Sequence, residues 1–195
     1  MSTTLLARAT AMLRRARRLR SRRGIAALEF GIIAPVFVTL LAGAVDLGNY
    51  VEISLALNAQ VAAGANFALV NAASANSTAG ATLASNVASI VANGRATGWA
   101  NDVVVVNDGP TVTTTGGTAT ASGTAAPADS IYCPSGSPPS WTWNTPVGAN
   151  YNCPGGGTSG KFVTIVATRA YTPIMLGYIF APSGTITAAT IVQVQ

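Results

Sequence analysis

The hydrophobic pattern begins with an apolar run from Gly24 to Val45, in which Glu29 is the one charged residue. A helix of these 22 residues reaches about 33 Å, enough to cross a hydrocarbon core of roughly 30 Å. The run therefore predicts a single transmembrane helix over residues 25–46. A lone carboxyl group inside such a run is costly, which indicates a specific partner for Glu29.

Apolar positions continue beyond this run at steps of three and four, which is the spacing of one helix face. They are Leu47, Tyr50, Val51, Leu57, Val61, Ala65, Ala68 and Leu69. The spacing predicts an amphipathic extension over residues 47–75, so that one long helix runs from about Ile25 to about Ala73. Pro35 lies inside this helix, and we expect a bend there because proline removes a backbone donor and crowds the preceding turn.

The rest of the chain, residues 76–195, has a mixed pattern that predicts an α+β domain. A second helix is expected over Thr78–Ala92, capped by Ser77 or Thr78 and stopped by Asn93 and Gly94.

Strand signals follow this second helix. Asp102–Val106 and the turn residues Asn107–Pro110 predict a hairpin across residues 102–120, with Asp102 and Asp108 as turn formers. Phe162–Tyr171 alternates most clearly, and Thr185–Val194 predicts a final strand. The apolar segment Thr172–Ser183 is expected to dock on the sheet or touch the membrane surface. The expected fold is a small antiparallel sheet packed on the long helix.

A loop rich in proline, glycine and serine covers residues 126–160 and contains Cys133 and Cys153. If this part is exported, the two thiols meet an oxidising compartment and are expected to form a disulfide. Trp141 and Trp143 alternate within the loop and could share one face. They either pack over the disulfide or form a contact surface for another subunit or a ligand.

The charge distribution gives the orientation. Residues 1–23 contain eight of the 11 basic residues and no acid, whereas residues 24–195 contain three basic and six acidic residues, a net charge of 3 − 6 = −3. By the positive-inside rule, residues 1–24 form a basic cytoplasmic leader and the C-terminal domain is periplasmic. We expect this leader to have no regular structure, although a short amphipathic helix on the inner leaflet is the alternative. Nucleic-acid binding is not expected, because the arginines form one N-terminal cluster and not a basic face.

The chain has no histidine, which removes most metal sites and most general-base chemistry. We therefore expect no enzyme activity, no metal and no cofactor.

The sequence from Arg23 to Phe30 resembles the processing site of type IV pilin-like proteins. The wider stretch from Arg23 to Ala65 resembles the TadE-like pseudopilins of tight-adherence (Tad/Flp) pilus systems. The matching features are the glycine and glutamate of the start, Pro35 after a short apolar run, Val45–Gly48 at the membrane exit, and Asn58-Ala59 in an alanine-rich helix.

This resemblance implies a role for each matching residue. A prepilin peptidase would cut after Gly24, and Ile25 would become the new N-terminus. Glu29 would pair with the N-terminal amine of a neighbouring subunit, and Phe30 would fill the aromatic position after it. The implied fold is pilin-like, and the implied function is that of a minor pilin in pilus assembly, supporting adhesion or secretion. The implied partners are other pilins, the inner-membrane assembly platform and the lipid bilayer.

Several alternatives remain open. Glu29 could be a snorkelling acid near the helix start with no specific partner. Ser21–Ile25 resembles a twin-arginine export signal, and Ala42–Ala44 fits a signal-peptide cleavage pattern that would release a soluble protein starting at Val45. The arginine-rich leader also fits a mitochondrial presequence. A different class of function is a periplasmic binding domain, anchored or released, that uses the loop around Trp141 and Trp143 to hold a ligand.

Overall fold

The computed structural model describes residues 3–174 and 184–195, with side chains from Gly24 onwards. The chain divides into two units, residues 1–47 and residues 48–195. Most of the apolar segment expected between Thr172 and Ser183 lies outside the described residues. The fold is α+β, with a long N-terminal helix and a small antiparallel sheet, as the sequence predicts.

The first element is helix α1, Thr3–Val70, which is 68 residues long. The expectation of a leader without regular structure is wrong, because the helix already includes residues 3–23. The leader is rich in alanine, leucine and arginine, which are among the strongest helix formers. Pro35 lies inside α1, and the hydroxyl of Thr39 donates to the Pro35 carbonyl at 2.8 Å. The bend at Pro35 stays a prediction.

Helix α2, Gly80–Asn93, follows a short 3₁₀ turn at Ala72–Ser74. The side-chain oxygen of Asn76 accepts hydrogen bonds from the backbone amides of Thr78 and Ala79, at 2.9 and 2.8 Å. The expected cap by Ser77 or Thr78 is wrong, because the N-cap residue is Ala79, which makes no side-chain hydrogen bond, and Asn76 stabilises the turn that precedes the helix. The predicted stop is confirmed, since the helix ends at Asn93.

Five strands form the main sheet in the order β3-β2-β1-β6-β7, and every neighbouring pair is antiparallel. The strands are β1 Asn101–Val106, β2 Thr111–Thr115, β3 Thr118–Ser122, β6 Phe162–Ala170 and β7 Thr185–Gln193. A separate ribbon pairs β4 Ser135–Ser137 with β5 Ser140–Thr142. The predicted hairpin is thus the first part of a three-stranded meander, and strands β6 and β7 lie within a residue of their predicted bounds.

Two tight connections explain the meander. Asn107 and Asp108 both have positive φ in the turn between β1 and β2, at 51° and 58°. Gly116 and Gly117 have φ of 57° and 85° between β2 and β3, the backbone of a two-residue hairpin turn that glycine adopts without strain. The Asn107 side chain is fully buried and donates to the carbonyls of Ala128 and Ser130, which ties residues 126–130 to the sheet.

The core lies between one face of the sheet and the two helices. Leu57, Val61, Ala65 and Ala68 recur along α1 at steps of four and three, and all are buried. They join residues of α2 and of the inner sheet face, where positions alternate: Leu83, Val87, Val91, Val104, Val106, Val112, Val163, Ile165 and Ala167. The amphipathic extension predicted from helical spacing therefore has the apolar face that it needs to cover the sheet.

Candidate functional site

The proposed processing junction, Gly24 to Phe30, lies within helix α1. All seven residues are exposed. Ile25 and Glu29 are four residues apart, so they lie on the same face of the helix, one turn apart. The junction therefore presents a carboxyl group and its neighbouring apolar side chains on an open helix surface.

Large apolar side chains remain exposed along α1. They are Ile25, Leu28, Phe30, Ile32, Ile33, Val36, Phe37, Val38, Leu40, Leu41, Val45, Leu47, Val51, Leu55, Leu69 and Val70. Within Gly24–Val70, an 18-residue window reaches a mean hydropathy of 2.2, and none of that window is buried. A surface this apolar needs lipid or a protein partner to cover it. Among the described residues, α1 is the one helix whose length and composition are compatible with a single-pass membrane anchor.

The predicted disulfide between Cys133 and Cys153 is present, with a Cα–Cα distance of 5.5 Å. Further hydrogen bonds hold the loop around it. The Asn144 side chain donates to the Cys133 carbonyl at 2.8 Å, and the Ser159 hydroxyl donates to the Gly148 carbonyl at 2.8 Å. The shape of the loop is therefore held by hydrogen bonds as well as by the covalent bond.

The two tryptophans of the loop make different contacts. The Trp143 ring meets the Tyr132 ring edge to face, with centroids 5.7 Å apart. Trp141 is half-buried and lines a cleft that the disulfide also lines. The sequence placed the two residues together because they alternate, but strand β5 ends at Thr142, between them.

This disulfide-loop cleft has a volume of about 600 Å³. One wall is the loop, with Trp141, Tyr151 and the disulfide. The other wall includes Phe162 and Ile191, which lie on the sheet face opposite to the helices because their positions alternate with the buried ones. The remaining lining residues are Pro134, Ser135, Gly136, Asn144, Thr145, Val147, Pro154, Gly155, Gly156, Gly157, Thr158 and Gln193.

The prediction that Asp102 is a turn former is wrong. The residue lies in β1 with its side chain on the core face, 2 % exposed, directly opposite Thr114 of β2. Burial raises the pKa of Asp102 to about 6, while contacts with Thr114 and the Ala92 backbone oppose that rise. These contacts fall outside regular hydrogen-bond geometry, so neither carboxylate oxygen has a partner among the described residues. Alternation with Val104 and Val106 was the signal that could have revealed this buried acid.

Asp108 does lie in the predicted turn. In the described part of the chain, no three cysteine or acidic side chains gather as a metal site.

A second cluster missed by sequence reasoning surrounds Trp99. Arg169 lies over the Trp99 ring, 4.7 Å from its centroid, and donates to the Trp99 carbonyl. Arg95 approaches the same ring at 5.6 Å and also pairs with Glu52 of α1 at 3.1 Å. Cation–π contacts of this kind contribute about 0.5–1 kcal/mol at exposed sites. Because the Arg95–Glu52 pair joins the cluster to helix α1, the simplest role of the cluster is structural.

Neither a curated protein nor a solved structure matches the chain. A family model does match, under the description TadE-like protein, over residues 24–66. The matched segment begins at Gly24, contains Glu29 and Pro35, and ends within the part of α1 that packs on the domain. The resemblance to TadE-like proteins is therefore confirmed over residues 24–66.

Proposed function

We propose that this chain is a membrane-inserted minor pilin, or pseudopilin, that takes part in the assembly of a Tad-type pilus. The observation that carries the proposal is the TadE-like match beginning at Gly24, on a helix whose apolar side chains are exposed from Ile25 onwards. In a pilin subunit, the same apolar helix would first lie in the lipid bilayer and later pack against the helices of other subunits.

In this proposal the leader is cytoplasmic, because its eight arginines lie on one side of the apolar run. The domain then lies in the periplasm, anchored in the inner membrane by α1. The disulfide between Cys133 and Cys153 supports an oxidising compartment for the domain.

A prepilin peptidase is the proposed processing enzyme, and it would cut between Gly24 and Ile25. The new amine of Ile25 would then be available to the Glu29 carboxylate of a neighbouring subunit. A buried carboxylate requires such a partner charge, because the cost of removing it from water is otherwise not offset.

The competing signal-peptide hypothesis requires a cut between Ala44 and Val45. The TadE-like match runs through that position, and so does helix α1. Both observations favour a chain in which the helix stays intact from Ile25 onwards.

The experiment is the intact mass and N-terminal sequence of the protein purified from native membranes, beside a Gly24→Arg variant. We expect a chain that begins at Ile25, and an uncut chain for the variant because the cut site no longer lacks a side chain. A chain that begins at Val45 contradicts the proposal. An uncut wild-type chain contradicts the processing step.

A further inference from the structure

We propose that the disulfide-loop cleft binds a neutral saccharide, with Trp141 and Tyr151 as the rings on which the sugar stacks. The inference rests on the periplasmic domain alone and does not depend on the pilus role. A volume of about 600 Å³ falls within the usual range of small-ligand sites.

The lining of the cleft is uncharged. None of the residues that line the cleft is acidic or basic. Lys161, which follows the loop in sequence, is already engaged, since its ammonium group donates to the Ala75 carbonyl at 3.0 Å. An ionic ligand would lose hydration in this cleft without gaining a counter-charge, so the lining selects an uncharged ligand.

Two partly exposed aromatic side chains of the loop line the cleft. Trp141 is half-buried and Tyr151 is 49 % exposed, so both rings keep surface open to a ligand. The electron-rich face of an aromatic ring attracts weakly positive C–H groups, and a pyranose ring offers a row of these on one face. Gly155, Gly156 and Gly157 line the same cleft, and a side-chain carbon built on any of them would meet open space. A bulky ring can therefore approach the aromatic pair.

Neutral polar side chains also line the cleft. Asn144 uses its amide nitrogen for the Cys133 carbonyl and the Ser135 hydroxyl, and among the described residues its side-chain oxygen accepts no hydrogen bond. Thr145 and Thr158 add hydroxyl groups, and Gln193 adds a second amide. Amides and hydroxyls of this kind donate to and accept from the hydroxyl groups of a sugar.

The loop wall of the cleft is preorganised. The Cys133–Cys153 disulfide, the isolated bridge between Asn152 and Thr158, and the bond from the Tyr151 amide to the Ser159 hydroxyl hold the aromatic wall. A site that is already ordered loses less entropy when a ligand binds.

The experiment uses the full chain in lipid nanodiscs with the disulfide intact. The probes are cellotriose, maltotriose and triacetylchitotriose as neutral sugars, and trigalacturonate as a charged sugar, titrated to millimolar concentration. Tryptophan fluorescence and saturation-transfer NMR report binding. We expect at least one neutral trisaccharide to bind and trigalacturonate not to bind.

Trp141→Ala and Tyr151→Ala should each weaken this binding by about tenfold or more, because each removes a stacking ring. Trp143→Phe is the matched control: it changes a loop tryptophan outside the cleft, keeps a ring against Tyr132, and should leave the affinity within about twofold. Tyr151 is exposed, so its truncation tests the site even if Trp141→Ala fails to fold. The proposal is overturned if no neutral sugar binds, if binding survives both ring truncations, or if trigalacturonate binds as tightly as the neutral sugars.

Discussion

Gly64 of α1 lies directly against Val91 of α2. A side-chain carbon built on Gly64 would come within 2.7 Å of the Val91 Cγ2 atom, and also within 3.4 Å of the Ile165 Cδ1 atom on the sheet. Val91 is fully buried, and a β-branched side chain in a helix has one strongly preferred rotamer, so it cannot turn away. The missing side chain at residue 64 therefore sets how closely the two helices approach.

Gly64→Ala should destabilise the domain by about 1–2 kcal/mol. Overpacking a core costs about 1–3 kcal/mol, and the better helix propensity of alanine returns up to about 1 kcal/mol. Gly48→Ala is the control in the same helix, because a side-chain carbon there meets nothing within 4 Å. It should be neutral or stabilising. Denaturant unfolding followed by tryptophan fluorescence checks both, since all three tryptophans lie in the domain. Equal effects of the two variants would contradict the close approach of the helices.

Asp102→Asn should stabilise the domain above pH 6 and change its pH dependence. The folded state holds the Asp102 proton more tightly than the unfolded chain, because the pKa rises from 3.8 to about 6. The stability linked to this proton is complete below pH 3.8 and is lost as the pH rises through 6. At pH 8 the wild type contains a buried, unpartnered carboxylate, and the variant should be more stable by about 1–3 kcal/mol.

The measurement for Asp102 is the difference in unfolding free energy between variant and wild type at pH 4.5 and at pH 8. Asp129→Asn serves as a control of opposite sign. The exposed Asp129 accepts a hydrogen bond from the Ser77 amide, and bonding to Ser77 lowers the pKa of Asp129. The stability that the ionised Asp129 contributes is present above the ordinary pKa of an aspartate and is lost as the pH falls. A gain for Asp102→Asn that is the same at both pH values would show that ionisation is not the cause.

Replacing both cysteines, Cys133→Ser with Cys153→Ser, should cost about 3 kcal/mol by the chain-entropy relation for a loop with a sequence separation of 20. We expect the cleft to lose its order first, so limited proteolysis should cut within residues 134–152. Reduction of the wild type is the matched treatment and should give the same cleavage pattern. Resistance of the double variant to both protease and denaturant would show that hydrogen bonds alone hold the loop.

Elements with a strong local signal were predictable from the sequence. Alternation in Phe162–Ala170 and turn residues at Asn107–Pro110 gave strand β6 and the first turn of the meander. Both signals depend on neighbours in sequence, as does the helical spacing in α1.

The missed features depend on contacts between distant residues. The cleft between the disulfide loop and the outer sheet face is lined by Trp141 together with Phe162 and Ile191, a grouping that no local pattern encodes. The ribbon of β4 and β5 is too short for alternation to be detected. Asp102 was misassigned because an acid next to a turn is usually exposed, whereas strand parity directs this one inward.

Glu29→Gln should abolish or severely reduce pilus assembly while leaving insertion and processing intact. Glutamine keeps the shape of the side chain but removes the charge that would pair with the Ile25 amine of a neighbouring subunit, and breaking a buried ion pair costs about 3–5 kcal/mol. Glu52→Gln is the matched control on the same helix: Glu52 pairs with Arg95 at 3.1 Å with 64 % of its side chain exposed, and such surface pairs contribute about 0–1 kcal/mol. The measurement is the amount of assembled pilus on cells, together with the N-terminal sequence of each variant. Full assembly in the Glu29→Gln strain would leave the snorkelling explanation for Glu29, whereas equal losses in both strains would point to a general defect in helix α1.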